Sequence, residues 1–380
     1  MQTSERLQGI GEYYFSMKLR EIDQLNKEGR GIINLGIGSP DGPPHPDVLD
    51  TLQQESAKPG QHGYQSYKGS PVLRKAIAGF YHTWYGVSLN PDTEILPLIG
   101  SKEGIMHICM TYLNRGDQVL IPNPGYPTYS SAVKLAGGEC IPYDLTEEGH
   151  WEPDFEELEK GDLSAVKLMW VNYPHMPTGR LPSRQLFEKL IQFGKKHSIL
   201  ICHDNPYSFI LNDQPASILH VDGARETAIE LNSLSKSGNM AGWRVGWMAG
   251  ARERIEEVLT FKSNMDSGMF LPVQLAAAKA LSLGKEWYDD INAMYSRRRE
   301  VVYEILQKLD CTFDRSQAGL FIWAKVPPGC KDGYELSDRI LYEKGVFITP
   351  GGIFGSNGNP YIRTSLCQKE DVLKEALKKI

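Results

Sequence analysis

Lys236 is the residue whose neighbours most strongly favour covalent chemistry in this sequence. It follows Ser235 in the stretch NSLSKSGNMAGWRVG, residues 232–246. A lysine amine is a nucleophile only when it is deprotonated, and forming a Schiff base with a carbonyl compound is its commonest covalent role. Arg244 follows Lys236 by eight residues. Its guanidinium, with the hydroxyls of Ser233 and Ser235, offers the donors that a phosphate monoester dianion needs.

An aldehyde and a phosphate on one ligand indicate pyridoxal 5′-phosphate as a cofactor. A lysine in a segment rich in Ser and Gly can also be a solvated loop residue, so other motifs must support this interpretation. The pattern SxSK followed by GxRxG resembles the active-site lysine motif of class I/II aminotransferases of fold type I. The resemblance implies ping-pong transfer of an amino group between an L-amino acid and a 2-oxo acid, through a Schiff base at Lys236.

Asp204 and Tyr207 lie in the motif HDNPY. A buried carboxylate beside the cofactor's ring nitrogen keeps that nitrogen protonated, and a phenol nearby can donate to the ring oxygen O3′. The spacing Asp-x-x-Tyr is a weak signal alone, because it often caps a helix. A Schiff-base lysine 32 residues later makes it a strong one. We therefore expect Lys236, Asp204 and Tyr207 to be the catalytic residues.

A phosphate site is predicted at the start of the helix SKEGIMHICMTYL. The preceding run EILPLIG predicts a strand that ends at Gly100. Free N–H groups in the first turn of a helix and the helix dipole both favour an anion. Ser101 and Lys102 occupy that turn and are predicted to bind the phosphate, although Lys102 could instead be solvated.

Two tyrosines are assigned to the cofactor by the resemblance. Tyr126 in NPGYPTY matches the aromatic residue that stacks on the pyridine ring, with a core tyrosine as the alternative. Tyr64, in a segment of the form YxxxxGxxxLR, matches the tyrosine that reaches the phosphate of the neighbouring subunit. This second assignment implies a homodimer with shared active sites, and its alternative is simple surface packing.

Substrate contacts are also assigned by the resemblance. Ile37 and Gly38 in LGIGSPD are expected to line the substrate pocket, unless this segment is an ordinary crossover loop. Arg363 in YIRTS matches the arginine that binds the α-carboxylate, where a planar bidentate donor fixes the orientation of the substrate. Asn264 lies in a segment expected to cross the dimer interface towards the neighbouring site.

Met176 departs from the family pattern. The family usually has Asn in its NPTG tetrapeptide, where this chain has MPTG. A thioether cannot donate a hydrogen bond, so the ring oxygen would keep Tyr207 as its main donor. We therefore predict that the internal imine titrates at a higher pH than in relatives with Asn.

An α/β fold is predicted from the order of the elements. The apolar runs SAVKLMWV and HSILIC flank the helical pattern RQLFEKLIQFGKK, a βαβ signature that predicts a parallel sheet with helices on both faces. Ligands of such sheets bind beyond the carboxyl ends of the strands. By resemblance the sheet is mostly parallel and seven-stranded, and a smaller α+β domain is built from both termini.

Three regions are expected: an N-terminal arm with part of the small domain at 1–44, a large cofactor-binding domain at 45–285, and a C-terminal small domain at 286–380. A first helix is predicted from Tyr13 to Asn26. A long helix, KEWYDDINAMYSRRREVVYEILQKL, is predicted to link the domains, with SRRRE on a solvated face. The run VFITPG is predicted to be a single strand.

Composition limits the possible partners. The chain has 380 residues, 41% of them hydrophobic, and a formal charge of -6. This charge gives no reason to expect nucleic acid or an anionic membrane as a partner, and no apolar run approaches the ~20 residues of a membrane span. The six cysteines have no metal-like spacing, and the N-terminus lacks a signal peptide's apolar core. We expect a cytoplasmic enzyme of small molecules without a metal.

Two other functions remain open at this stage. A C–S β-lyase or another pyridoxal phosphate enzyme could use the same scaffold, and would release pyruvate and ammonia without an oxo acid. A non-catalytic effector-binding domain is disfavoured, because no basic helix-turn-helix segment precedes the fold. Within the aminotransferase class, the segments LGIGSPD and SNMDSGMF most resemble those of LL-diaminopimelate aminotransferases. The amino donor itself is not predicted.

Overall fold

The computed structural model describes residues 2–7, 10–12 and 14–380. Twelve strands lie within these residues: β1 Ile33–Asn34, β2 Ile95–Leu98, β3 Gln118–Asn123, β4 Glu139–Asp144, β5 Val166–Asn172, β6 Leu200–Asp204, β7 Ala228–Ser233, β8 Gly246–Gly250, β9 Phe321–Lys325, β10 Val346–Phe347, β11 Thr349–Pro350 and β12 Tyr361–Ser365. The α-helices are α1 Tyr14–Lys27, α2 Pro46–Ser56, α3 Pro71–Tyr85, α4 Ser101–Tyr112, α5 Thr128–Ala136, α6 Phe155–Leu158, α7 Arg184–His197, α8 Ala224–Thr227, α9 Arg252–Lys262, α10 Leu271–Leu281, α11 Lys285–Lys308, α12 Gly333–Lys344 and α13 Glu370–Lys379.

A seven-stranded sheet forms the centre of the molecule, in the order β2-β8-β7-β6-β5-β3-β4. Neighbouring strands from β4 to β7 pair in parallel, whereas β8 runs antiparallel to both β2 and β7. Every residue of β6 and β7 is buried, as expected where helices cover both faces. The prediction of a mostly parallel α/β sheet is therefore confirmed.

The predicted βαβ unit is β5-α7-β6, and local sequence signals define its helix. Ser183 caps the N-terminus of α7 by accepting a hydrogen bond from the Leu186 N–H, and Ser198 ends the helix in the left-handed conformation. Leu186, Leu190 and other apolar residues of α7 are buried in the core cluster beside the sheet. This packing brings the carboxyl ends of β5 and β6 to the same edge of the sheet.

A second core lies in the C-terminal part of the chain. Strands β11, β12 and β9 form an antiparallel sheet with β12 in the middle, and β1 pairs in parallel with β10. VFITPG is therefore not the single predicted strand, because β10 and β11 pair in different sheets on either side of Ile348. Phe15 and Leu35 share an apolar cluster with residues from α11, β9 and β12. The proposed domain boundaries remain a prediction.

Two further expectations concern helices. The first helix is described from Tyr14, and Tyr13 lies outside the described residues. The SRRRE run of α11 was expected to be solvated, and this is wrong for Arg298, which is buried. Its two Nη atoms donate to the Asp41 carboxylate at 2.7 and 2.9 Å. Pairing with a carboxylate offsets the cost of burying the guanidinium.

None of the described helices has the length and apolar character needed to cross a membrane. All six cysteines are free thiols.

Candidate active site

A cavity of about 310 Å³ opens at the carboxyl edge of the central sheet. Asn172, Asp204 and Ser233 are the last residues of β5, β6 and β7, and all three line it. Parallel strands end at the same edge of a sheet, so these residues come from distant parts of the sequence to one place. The position is the one expected from the sequence.

Lys236 enters this cavity from the turn that follows β7. Its Nζ donates to the Gly38 carbonyl at 2.7 Å and lies 5.9 Å from the centre of the Tyr207 ring. Burial lowers the pKa of Lys236, and the nearby charges of Arg363 and Arg244 lower it further. A lowered pKa increases the fraction of neutral amine, which is the form that attacks a carbonyl carbon.

Asp204 is buried at the base of the cavity. Tyr129 Oη donates to its Oδ2 at 3.0 Å, whereas Oδ1 has no hydrogen-bond partner among the described residues. Burial raises the pKa of Asp204 to about 6, although the Tyr129 hydrogen bond and the charges of His203 and Lys236 act against this. A buried carboxylate oxygen without a donor is costly, and a ligand N–H would relieve that cost.

Tyr207 lies three residues beyond Asp204 in the same cavity. Burial raises the pKa of the Tyr207 phenol well above its usual range. The phenol therefore keeps its proton at neutral pH and is available as a donor. Tyr126 also lines the cavity, and its ring meets the Tyr129 ring edge-on with centroids 5.6 Å apart.

An anion-binding corner lies at the N-terminus of α4. Gly100 precedes the helix with φ +82°, and a Cβ atom at this position would collide with the Arg244 guanidinium. Glycine therefore allows this guanidinium to lie against the first turn, beside Ser101 and Lys102. Burial and the Arg244 charge lower the pKa of Lys102. Helix N–H groups, the arginine and the lysine converge here as donors for a phosphate.

Ser233 and Ser235 border the same cavity. Their Oγ atoms lie 2.8 Å apart, and Ser233 Oγ also accepts from the Ser235 N–H at 3.0 Å. This local turn holds both hydroxyls in place between the end of β7 and Lys236. They are positioned to add short donors to the anion-binding corner.

Arg363 lies on the central strand β12 and is only 4% exposed. Its guanidinium stacks over Phe321, with 3.7 Å to the ring centre, and Nη2 donates to the Gly36 carbonyl at 2.8 Å. Nη1 lies 3.2 Å from Met176 Sδ. A thioether is a weak acceptor, so a ligand carboxylate would be a better partner for this nitrogen.

The residues of the cavity fit pyridoxal phosphate. Asp204 Oδ1 receives no hydrogen bond from the part of the chain that the structure describes and matches a protonated ring nitrogen, and the anion-binding corner matches a phosphate. Lys236 lies between these two features, with an amine of lowered pKa. A ligand with a ring N–H, an aldehyde and a phosphate would satisfy all three of these features.

The cavity brings together twelve of the fourteen residues predicted from the sequence: Ile37, Gly38, Ser101, Lys102, Tyr126, Asp204, Tyr207, Ser233, Ser235, Lys236, Arg244 and Arg363. Tyr64 and Asn264 do not line it. Tyr64 is 97% exposed, and Asn264 is an exposed residue whose amide donates to the Thr260 carbonyl. Their predicted roles lie in a neighbouring subunit, so they remain predictions.

Sequence reasoning missed several residues of the cavity. Tyr129 is the second tyrosine of NPGYPTY, and its position in the first turn of α5 directs it to Asp204. Asn172 donates to the Asp204 carbonyl at 2.5 Å and accepts from the Met176 N–H at 2.7 Å. Phe321 also lines the cavity. Tyr126 and Tyr129 are three residues apart, and this spacing places two side chains on one side of a helical turn. It could therefore have indicated Tyr129.

Comparison with known proteins agrees with this geometry. The family model described as aminotransferase class I and II matches residues 30–380. The chain belongs to the class I and II aminotransferase family. This aminotransferase is 39% identical to the LL-diaminopimelate aminotransferase of Dehalococcoides mccartyi strain 195, covering 100% of this chain and 98% of that protein. It is 40% identical to the enzyme of the same name from Natranaerobius thermophilus, covering 100% and 99%.

Among solved structures, this aminotransferase is similar to apo-BacF from Bacillus subtilis. The TM-score is 0.95 and the identity 35%, over 100% of this chain and 97% of BacF. Members of the class I and II family use pyridoxal phosphate, and the relatives are aminotransferases. The predictions of the family, the fold and amino-group transfer are therefore confirmed, together with the resemblance to LL-diaminopimelate aminotransferases.

Proposed function

We propose that this aminotransferase binds pyridoxal 5′-phosphate covalently at Lys236 and moves an amino group between an L-amino acid and a 2-oxo acid. The observation that carries the proposal is the shared cavity of Lys236, Asp204 and the anion-binding corner. When bound, pyridoxal phosphate supplies an aldehyde that condenses with amines and a protonated ring that delocalises electrons released at the substrate's Cα. The protein's residues supply binding, orientation and proton transfer.

Proton transfer is assigned to Lys236. With cofactor and substrate bound, the Lys236 amine would take the Cα proton as a general base. Its lowered pKa leaves the amine neutral more often than an exposed lysine would be. Asp204 would keep a proton on the ring nitrogen through Oδ1, and Tyr207 would donate to the ring oxygen.

Orientation of the substrate is assigned to Arg363. A bidentate guanidinium fixes the α-carboxylate and so determines which bond at Cα stands perpendicular to the ring. Tyr126 would support the ring of the bound cofactor by stacking. Ile37 and Gly38 form the wall on the substrate side.

We further propose a cytoplasmic homodimer in which Tyr64 of each chain reaches the phosphate in the other. The exposure of a tyrosine on this surface supports a role outside its own chain. Asn264 would contact the neighbouring site in the same way, because a two-fold interface presents the same segments from both subunits.

The decisive experiment compares Lys236→Ala with Lys102→Ala. Borohydride should fix pyridoxal phosphate to the wild type and to the Lys102 variant, and should fix none to the Lys236 variant. The Lys236 variant should also lose nearly all turnover, whereas the Lys102 variant should mainly bind the cofactor more weakly. Turnover that survives in Lys236→Ala would contradict the assignment. Release of pyruvate and ammonia without an oxo acid would favour the lyase.

A further inference from the structure

The charged residues that line the cavity are mostly cationic. Among the described lining residues, Asp204 is the only carboxylate, and it lies at the buried base. The cationic residues are Lys102, Lys236, Arg244 and Arg363. Under the proposed function, all five charged groups already serve the cofactor or the substrate's α-carboxylate. Within the described lining, no negative group is left for the far end of a substrate side chain.

The wall beside Arg363 is apolar. The Arg363 guanidinium lies 3.7 Å from the centre of the Phe321 ring and 5.5 Å from that of Phe15. Met176 and Ile37 complete this wall. A substrate whose carboxylate binds Arg363 would therefore place its side chain against two phenyl rings, a thioether and an isoleucine.

The neighbouring subunit of the proposed dimer would not add a negative charge from the segment around Tyr64. The sequence has no Asp or Glu from Ser56 to Pro91. The exposed large side chains near Tyr64 include Tyr67, another aromatic residue. In the segment around Asn264, the carboxylate of Asp266 already accepts from Lys262 Nζ at 2.5 Å.

We infer that the amino donor carries a large apolar side chain, aromatic or aliphatic, which lies against Phe15, Ile37, Met176 and Phe321, and that donors with a second ammonium group are rejected. This inference rests on the proposed function and specifies its substrate class. The inferred donor differs from diaminopimelate, the compound in the name of the LL-diaminopimelate aminotransferase relatives, because diaminopimelate carries an amino group at both ends. A distal ammonium in this wall would lose its water without gaining a carboxylate partner.

The test is a comparison of L-norleucine with L-lysine, whose side chains have the same number of carbons and differ only in the ammonium group that lysine carries on the last one. Single-turnover absorbance measures conversion of the bound cofactor to its pyridoxamine form. We expect norleucine to exceed lysine by about 100-fold or more in kcat/KM, because removing the distal ammonium from water without a carboxylate partner is costly. L-Phenylalanine should likewise exceed LL-diaminopimelate.

A binding measurement gives a readout that does not need turnover. Hexanoate and 6-aminohexanoate both offer a carboxylate to Arg363 and differ only in the distal ammonium. Hexanoate should raise the Tm of the holoenzyme, whereas 6-aminohexanoate at the same concentration should raise it much less. Equal shifts would contradict the inference.

A matched pair of variants tests where the side chain lies. Ile37→Glu should raise the lysine-to-norleucine ratio of kcat/KM, and Ile37→Gln, which has nearly the same size without the charge, should not. The same ratio in both variants would show that the donor's side chain does not lie beside residue 37, and would overturn the placement.

The outcomes separate the two claims. If lysine or diaminopimelate reacts as fast as norleucine or phenylalanine, the inference about the donor is wrong and the aminotransferase function stands. If no amino acid converts the bound cofactor, the proposed function fails, and the hexanoate pair still tests the chemistry of the wall. If no cofactor binds, the proposed function also fails, and the hexanoate pair is compared on the cofactor-free protein.

Discussion

Replacing Asp204 with asparagine is expected to stabilise the cofactor-free protein and to abolish its use of the cofactor. Burial raises the pKa of this carboxyl from 3.8 to about 6. Between these two values the folded state binds more protons than the unfolded state, so stability falls as the pH rises through this window. Above this pH window the folded state bears the full cost of burying the ionised carboxylate, and a pKa shift of this size corresponds to about 3 kcal/mol.

Asparagine removes the charge and can still accept the Tyr129 hydrogen bond. The asparagine N–H groups would find no matching acceptor at this site, and this loss offsets part of the gain in stability. We therefore expect Asp204→Asn to be more stable than the wild type by about 1–3 kcal/mol at about pH 8, with little difference at about pH 4. Pyridoxal phosphate should then raise the Tm of the wild type more than that of the variant.

The assay is denaturant unfolding of both cofactor-free proteins at the two pH values. Asp41→Asn is the control with the opposite sign, because it leaves the Arg298 guanidinium without its bidentate partner and should destabilise on the order of 3 kcal/mol. The reasoning about Asp204 is refuted if its variant is no more stable than the wild type at the higher pH, or if the gain is equally large at the lower pH.

Three further substitutions have defined outcomes. Met176→Asn should lower the pH at which the absorbance of the lysine-bound cofactor changes, and an unchanged spectral titration would contradict the role given to this position. Gly38→Ala should destabilise the protein by about 1–3 kcal/mol in thermal unfolding, since its Cβ would collide with the Phe321 ring; an unchanged Tm would show that the ring can move aside. Arg244→Lys should weaken cofactor affinity by about tenfold or more in a fluorescence titration, because a point charge replaces a bidentate donor; unchanged affinity would remove Arg244 from the phosphate site.

The parts of the site that were predictable are those carried by short motifs at the ends of strands. Asp204 ends an apolar strand and Lys236 follows another, and parallel pairing brings such ends together whatever the length of chain between them. Ser101 was predictable because a strand, a glycine and a helix start in succession form an anion site. These inferences needed only local sequence and one rule of topology.

Contacts that depend on packing between distant segments were not predictable. Arg298 lies in a run of charges that is typical of a solvated helix face, and only the approach of Asp41, 257 residues away, explains its burial. VFITPG has the composition of one strand, but its two halves pair with β1 and β12 separately. In both cases the partner segment, rather than the local pattern, determines the structure.

The segment from Leu35 to Asp41 connects the two cores through its backbone. Its Leu35, Gly36 and Ile37 carbonyls accept hydrogen bonds from β12, whereas its Gly38 carbonyl accepts from Lys236 Nζ. A covalent bond from Nζ to a ligand carbon would change this last contact and leave those with β12 in place. One lysine nitrogen is thus the hydrogen-bond donor from the central domain to a backbone segment that β12 holds from the other side, and bond formation at that nitrogen would alter this contact.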